Sequence, residues 1–410
     1  MWTSRFRSAC GLALVFGVAA CSQFSKKASE ARTHLRANQP DQAAQVLEEN
    51  ALKPSDDQLV YLLDYAQALQ QGGRYKESTK AFLSAVDIAK IQDYTSLSRE
   101  AGSVLLSENL VQYKGENYEK LLIHVQLAIN FLMQGQMEEA LVEVRAMDLM
   151  LEKFRNEAKK EYEQNTFSRY LSALIWEADR KWDDALIAYK KVFSQRPQIR
   201  FLGSDLTRSA QMGRFPEDLQ KFKKDFQVSK SSAWWTDPNK GEIILIYQQG
   251  VAPVKRADPQ NPRLPRLFPV FSTTQKARVE VGGDLVETEE IYNVTEAAIR
   301  TLDEDYGRLV AKRVGGIVAK AVVADQIRQK NEFLGFLAWV GMNLADQADT
   351  RQWSTLPSTY QVARVPVRAG THQVFIRGLS SEGAETGESA GPFPVVVGAR
   401  KKVFLMWRTY

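Results

Sequence analysis

Three histidines and two cysteines in 410 residues leave little from which to build a metal centre or a disulfide framework. His34, His124 and His372 lie far apart, none beside a cysteine and none in a spacing that puts two ligands on one helix face. Cys10 falls inside an apolar N-terminal stretch and Cys21 at its end, so a chain cut between them keeps one thiol and forms no internal disulfide. A chain of this length folds as two or three domains that bury real cores without covalent staples. The stretch Ala9 to Ala20 is shorter than the roughly 20 apolar residues that cross a bilayer. Charge of one sign is scarce as well: 54 Lys and Arg against 49 Asp and Glu leave a formal +5. The clusters Lys221, Lys223, Lys224 and Arg400, Lys401, Lys402 are short and read as solvated surface. Neither makes the long basic stripe that phosphate-backbone binding favours, and no nucleic-acid partner is expected.

What the N-terminus does contain is an order: Arg5 and Arg7, then the apolar stretch, then small residues, as in a secretion signal. Val18-Ala19-Ala20-Cys21 resembles the lipobox of bacterial lipoproteins, where small residues fit the signal peptidase and the cysteine thiol takes a diacylglyceryl group. The resemblance implies a signal over residues 1–20, lipidation at Cys21 and a membrane anchor. Ser22 in place of Asp after that cysteine implies delivery to the outer membrane, with the folded part on the periplasmic side. The alternative is an ordinary secreted protein whose cysteine falls there by chance.

From about residue 28 to about residue 226 helical segments alternate with short turns, and an internal spacing recurs. Ala31 and Ala43, Ala66 and Ser78, Ala128 and Ala140, and Ala173 and Ala185 are small pairs twelve residues apart, each followed four residues later by Leu47, Phe82, Val144 or Tyr189. Small side chains let two antiparallel helices approach, and the large one fills the space between hairpins. This resembles the tetratricopeptide repeat, most clearly in Leu62-Leu63-Asp64-Tyr65-Ala66, Gly73-Arg74-Tyr75, Phe82 and Ala85, with Pro197 ending a later unit. The units are unevenly spaced: an added helix is expected around Leu97 to Leu110 and a lengthened one beyond Met147, and the pair around Gly213-Arg214-Phe215 is degenerate. A non-repetitive helical bundle is the competing reading.

Past Ser231 the pattern turns to strands. Glu242 to Tyr247 reads as a buried strand, and Pro253, Pro259, Pro262, Pro265 and Pro269 then forbid helix and central strand alike, leaving an extended loop or edge. Lys276 to Val281 and Asp284 to Glu287 form a hairpin across Gly282-Gly283. Helix is expected again from about Asn293 to Ala348, then strands over Thr359 to Val367, Thr371 to Arg377, Pro394 to Val397 and Lys402 to Trp407, with Ser380 to Gly391 a polar loop or bulge. The fold class is α+β: a tetratricopeptide-like helical domain over 21–230, then a β-rich domain over 231–410, an antiparallel sheet with a helical insertion at about 293–348, with separate small domains as the alternative.

Catalytic motifs fail on context. Gly387-Glu388-Ser389-Ala390-Gly391 fits the nucleophile elbow, yet a polar stretch precedes it, Pro392 and Pro394 follow, and no Asp, Glu or His lies beyond it. Asp303-Glu304-Asp305-Tyr306-Gly307 starts like a calcium loop, but its glycine comes one place early and Val314 stands where the closing glutamate belongs. No catalytic residue, metal or cofactor is assigned. Phe333 to Leu344, the greasiest part of the mature chain, packs against the sheet, with shallow insertion into a bilayer or a partner contact as the alternatives.

Two stretches, Tyr113 to Lys120 continuing through Gly135 to Arg145, and Ala348-Asp349-Thr350-Arg351-Gln352-Trp353 followed by Leu356-Pro357 and Arg364, resemble uncharacterised bacterial lipoproteins with tetratricopeptide-like repeats. The resemblance implies an envelope protein without established catalytic residues. Asp349, Arg351 and Trp353 are either a structural fastening or a partner site, since a carboxylate and a guanidinium two residues apart make charge-assisted bonds to backbone or partner. The expected function is a non-catalytic adaptor or assembly factor holding another envelope protein or peptide. The alternatives are a cell-wall or glycan-acting enzyme with an unrecognised carboxylate pair, and a structural component of an envelope or secretion complex. Radiolabelled palmitate should enter the wild-type chain and not Cys21→Ala; its absence from the wild type overturns the anchor.

Overall fold

The computed structural model describes residues 23–96, 112–158, 165–226, 234–304, 306–307, 309 and 348–410. Cys21, the helix expected over 97–110 and the apolar segment 333–344 lie outside the described residues. The helices are α1 (23–36), α2 (Pro40–Leu52), α3 (Gln58–Gln71), α4 (Tyr75–Ser96), α5 (Asn117–Met133), α6 (Met137–Ala158), α7 (Thr166–Ala178), α8 (Trp182–Gln195), α9 (Leu202–Met212) and α10 (Pro216–Phe226). The strands are β1 (Lys240–Gln249), β2 (Val254–Ala257), β3 (Pro265–Phe268), β4 (Lys276–Val281), β5 (Asp284–Glu287), β6 (Glu289–Asn293), β7 (Thr359–Arg368), β8 (Gly370–Leu379), β9 (Glu385–Val397) and β10 (Lys402–Arg408). The last of these helices ends at Phe226 and the first strand begins at Lys240. Compactness divides the chain differently, into one unit of residues 1–116, 253–269 and 298–356 and a second of 117–252, 270–297 and 357–410.

The helices pair as α1/α2 and α3/α4 in the first unit, and as α5/α6, α7/α8 and α9/α10 in the second. All five hairpins close with the same turn. Asn38, Gly73, Gly135, Arg180 and Arg214 each have φ between 55° and 71°, two residues before the second helix begins. In every case the next residue's N–H reaches back to the first helix: Gln39 to His34, Arg74 to Leu69, Gln136 to Phe131, Lys181 to Trp176 and Phe215 to Ala210, all at 2.8–2.9 Å. This is the six-to-one bond of a Schellman motif, which satisfies carbonyls that a helix end otherwise orphans. The eight members of the small pairs are fully buried, as are Leu47, Phe82, Val144 and Tyr189. A packing code repeated with its turn is a tetratricopeptide-like repeat; in the degenerate α9/α10 pair the turn recurs without the small pair.

In the second unit β10-β1-β7-β6 form one sheet and β5-β4-β8-β9 another, where a single antiparallel sheet was expected. The first is antiparallel except where β10 runs parallel to β1. β7 and β8 follow each other but do not pair, because β7 already has β1 and β6 on its two edges. The chain turns into the second sheet at Gly370, whose φ of +147° only glycine adopts readily. Ile243, Leu245 and Tyr247 of β1 and Ala363, Val365 and Val367 of β7 face Val279, Val374 and Ile376 across an apolar core. The alternate residues face helices: Gln126 on α5 donates to Tyr360 Oη at 2.9 Å, and Phe167 on α7 stacks on the Tyr360 ring at 4.4 Å. β1 is buried on both faces, which explains its near-continuous apolar run.

β9 begins inside the stretch read as loop. It is an edge strand whose first residues are exposed, so serine, glycine and Pro392 and Pro394 are tolerated there. In the first unit the proline-rich segment is an extended β2/β3 hairpin.

The shared turn predicts opposite signs for two substitutions in the second unit. Gly135→Ala places a Cβ at φ +71° and should cost about 1 kcal/mol, whereas Arg180→Gly relieves φ +62° and should gain up to about 1 kcal/mol, read as shifts of the urea midpoint.

Candidate binding pocket

In the first unit a cavity of about 310 Å³ opens beside α1. Ser25, Ser29, Arg32 and Arg36 follow spacings of four, three and four residues, which put them on one face of α1, and the first three line the cavity. Opposite stand Lys255 and Arg256 of β2, and the third wall is the extended segment holding Thr350, Gln352 and Ser354. Gln352 fixes that segment to β2. Its Oε1 accepts from the Lys255 N–H at 2.6 Å and its Nε2 donates to the Pro253 carbonyl at 2.9 Å.

Behind this wall Asp64 of α3 is fully buried. Its carboxylate accepts from Ser354 Oγ at 2.7 Å, from the Thr355 N–H at 2.9 Å and from Thr355 Oγ1 at 2.8 Å. Burial nevertheless pushes its pKa up to about 6, against the pull of those bonds and of Arg32. Burial also holds the Arg32 guanidinium below its ordinary value, with Asp64 opposing and Arg36 and Arg256 adding to the effect.

The residues singled out from the sequence lie deeper in the same unit. Arg351 donates to Asp349 through Nε at 2.9 Å and Nη2 at 2.7 Å, and through Nη1 to Asp57 at 2.8 Å. Burial disfavours the Arg351 charge, but the bonds to Asp349 and the attraction of Asp57 outweigh it and raise its pKa. Trp353 is 1% exposed, its ring 5.6 Å from that of Phe82. Arg351 and Trp353 thus hold the 348–356 segment from inside, 2% and 1% exposed, while 19% of the Asp349 side chain is exposed. The cations of the pocket escaped the sequence reading. Their signals were the serine and arginine stripe of α1 and the Lys255-Arg256 pair inside the proline-rich segment.

The second unit holds a sealed cluster of three cations and three carboxylates. Arg364 forms a fork with Glu242, 2.7 Å from Nε and from Nη2, and also donates to Asp205. Arg208 donates through Nη2 to Asp205 at 2.7 Å and Glu177 at 3.0 Å, and Lys402 lies 2.9 Å from Glu177. All six side chains are at most 7% exposed. Burial alone would raise the Glu177 carboxyl, but Arg208 and Lys402 hold it well below its ordinary value; Arg364 and Lys402 bring Glu242 down to about 2 against the same burial. A glycosidic general acid needs the opposite, a raised pKa and access to solvent. These converging acids are therefore neutralised structure. His124, 2.6 Å from Glu143, is a partly buried helix residue, and Ser389 sits within strand β9 with no turn at it. Among the described residues no group of three or more His, Cys, Asp or Glu could hold a metal ion, and no helix is long and apolar enough to cross a membrane.

No protein-family model matches the chain, and no curated protein matches it. Solved structures do. A Podosopora anserina putative kinesin light chain with nearly identical TPR-like repeats is 17% identical, covering 51% of this chain and 99% of that one at a TM-score of 0.35. MamA from Desulfovibrio magneticus RS-1 is 15% identical over 50% of this chain and 92% of that one, TM-score 0.33. BtubC from P. vanneervenii is 12% identical over 54% and 85%, TM-score 0.37. Likeness this slight carries no argument, and the repeat assignment rests on the hairpin geometry.

Asp64 gives a pH test. A carboxyl whose pKa is raised on folding holds its proton more tightly in the folded state, so stability falls as pH climbs through the interval between the two values. About 3 kcal/mol should be lost between about pH 4 and about pH 6. Urea unfolding should show this fall in the wild type and its loss in Asp64→Asn.

Proposed function

We propose that the chain is a non-catalytic adaptor of the bacterial envelope, tethered to the outer membrane through a lipid on Cys21, that holds another envelope protein or peptide on its helical repeats. The observation that carries this reading is the set of five hairpins closed by one turn, since helix-pair repeats present extended binding surfaces. In the second unit the α5/α6 and α7/α8 pairs leave apolar surface for a partner on their second helices. α5 and α7 meet the sheet through Gln126 and Phe167, while Val142 and Leu149 on α6 and Ile187 on α8 are 57%, 73% and 54% exposed. The sealed acids speak against an enzyme working through them. The charge order of residues 1–20 and the small residues before Cys21 support export and anchoring.

A photo-crosslinking residue placed at Val142, Leu149 or Ile187 in intact cells tests the reading. One reproducible envelope protein captured from these positions, and absent from probes in β4, is the expected result. Capture of lipid alone, or of no protein neighbour, overturns it.

A further inference from the structure

The cavity beside α1 gathers more positive charge than the described residues pair with carboxylates. Arg32 makes no hydrogen bond or ion pair among the described residues, although burial disfavours its charge. Arg256 makes no ion pair among the described residues either; its guanidinium lies 5.8 Å over the Phe268 ring. Asp64 attracts Arg32 from behind the wall, but its oxygens bond Ser354 and Thr355 and no ion pair joins the two, and Glu116 stands 3.4 Å from Lys255. A partly buried guanidinium that no carboxylate contacts is costly to keep, and several converging cations suit an oxyanion better than any neutral ligand. The hydroxyls of Ser25, Ser29 and Thr350 on the same walls add donors, and Phe24 and Val254 add an apolar side. The volume of about 310 Å³ takes a group of headgroup size, at the small end of ligand sites.

We propose that this pocket binds a phosphate ester, with the phosphate oxygens bridging Arg32 and Arg256 and the hydroxyl wall ordering the remaining oxygens. The ester is either free in solution or the headgroup of a phospholipid, and the chemistry recognised is the same. The site stands whether or not Cys21 carries lipid and whether or not the repeats hold a protein.

The purified full chain in a neutral detergent is titrated with glycerol 3-phosphate and, separately, with dihexanoyl-phosphatidylglycerol below its micelle concentration, against sodium chloride at equal ionic strength. A saturable rise of Tm beyond the chloride control is expected with at least one of them. A larger rise with the glycerol ester assigns a free ligand, and a larger rise with the short-chain lipid assigns a headgroup. Arg32→Gln should leave Tm without ligand unchanged or higher while weakening the response about tenfold or more. Arg256→Gln, at an exposed position where folding is not at stake, should weaken it likewise. A rise no greater than with chloride, or one that both variants retain, overturns the site.

Discussion

A guanidinium on a strand covered from both sides has no water to turn to. Arg364 is in that position: on one side of β7 lies the apolar core between the sheets, on the other the helices. Its charge persists only because Glu177 from α7, Asp205 from α9 and Glu242 from β1 come to meet it. With Arg208 and Lys402 the sum is three positive and three negative charges, and removal of any one leaves a buried charge uncompensated. Tyr189, the large residue of the α7/α8 repeat, adds its hydroxyl to Glu177 at 2.7 Å. One network thus ties repeat packing to sheet position, and the helices of the second unit and its sheet form one structure.

The repeats face a different constraint. Each hairpin needs its chain reversed within a few residues, and the left-handed turn does so while returning an N–H to the carbonyl of the preceding helix. Glycine meets the conformation at two of the five turns, asparagine at one and arginine at two. The small pairs then allow the close approach that the turn demands.

The first unit treats charge in two ways. Arg351 is bound by Asp57 and Asp349 and serves to hold the 348–356 segment; Arg32, one wall away, makes no ion pair among the described residues and stands beside two further cations. The first arrangement builds the wall and the second gives the cavity its chemistry. Asp64 links them, since the hydroxyls that hold its carboxylate belong to the residues just after Trp353.

What the sequence determined by itself is whatever rests on local periodicity. The small pairs, the turn across Gly73, the lengthened α6, the β4/β5 hairpin and the strand at Glu242 to Tyr247 all follow from side-chain spacing within one element or between neighbours in the chain. Ser380 to Gly391 misled because edge strands accept residues that central strands exclude. The tertiary structure alone decided the rest: that β7 and β8 part into different sheets, that Arg364 meets carboxylates 122, 159 and 187 residues away, and that Lys255 and Arg256 lie across a cavity from Arg32. Such neighbours are set by which edges and faces remain free after local elements form, and that competition for burial leaves no mark on the spacing of any single segment.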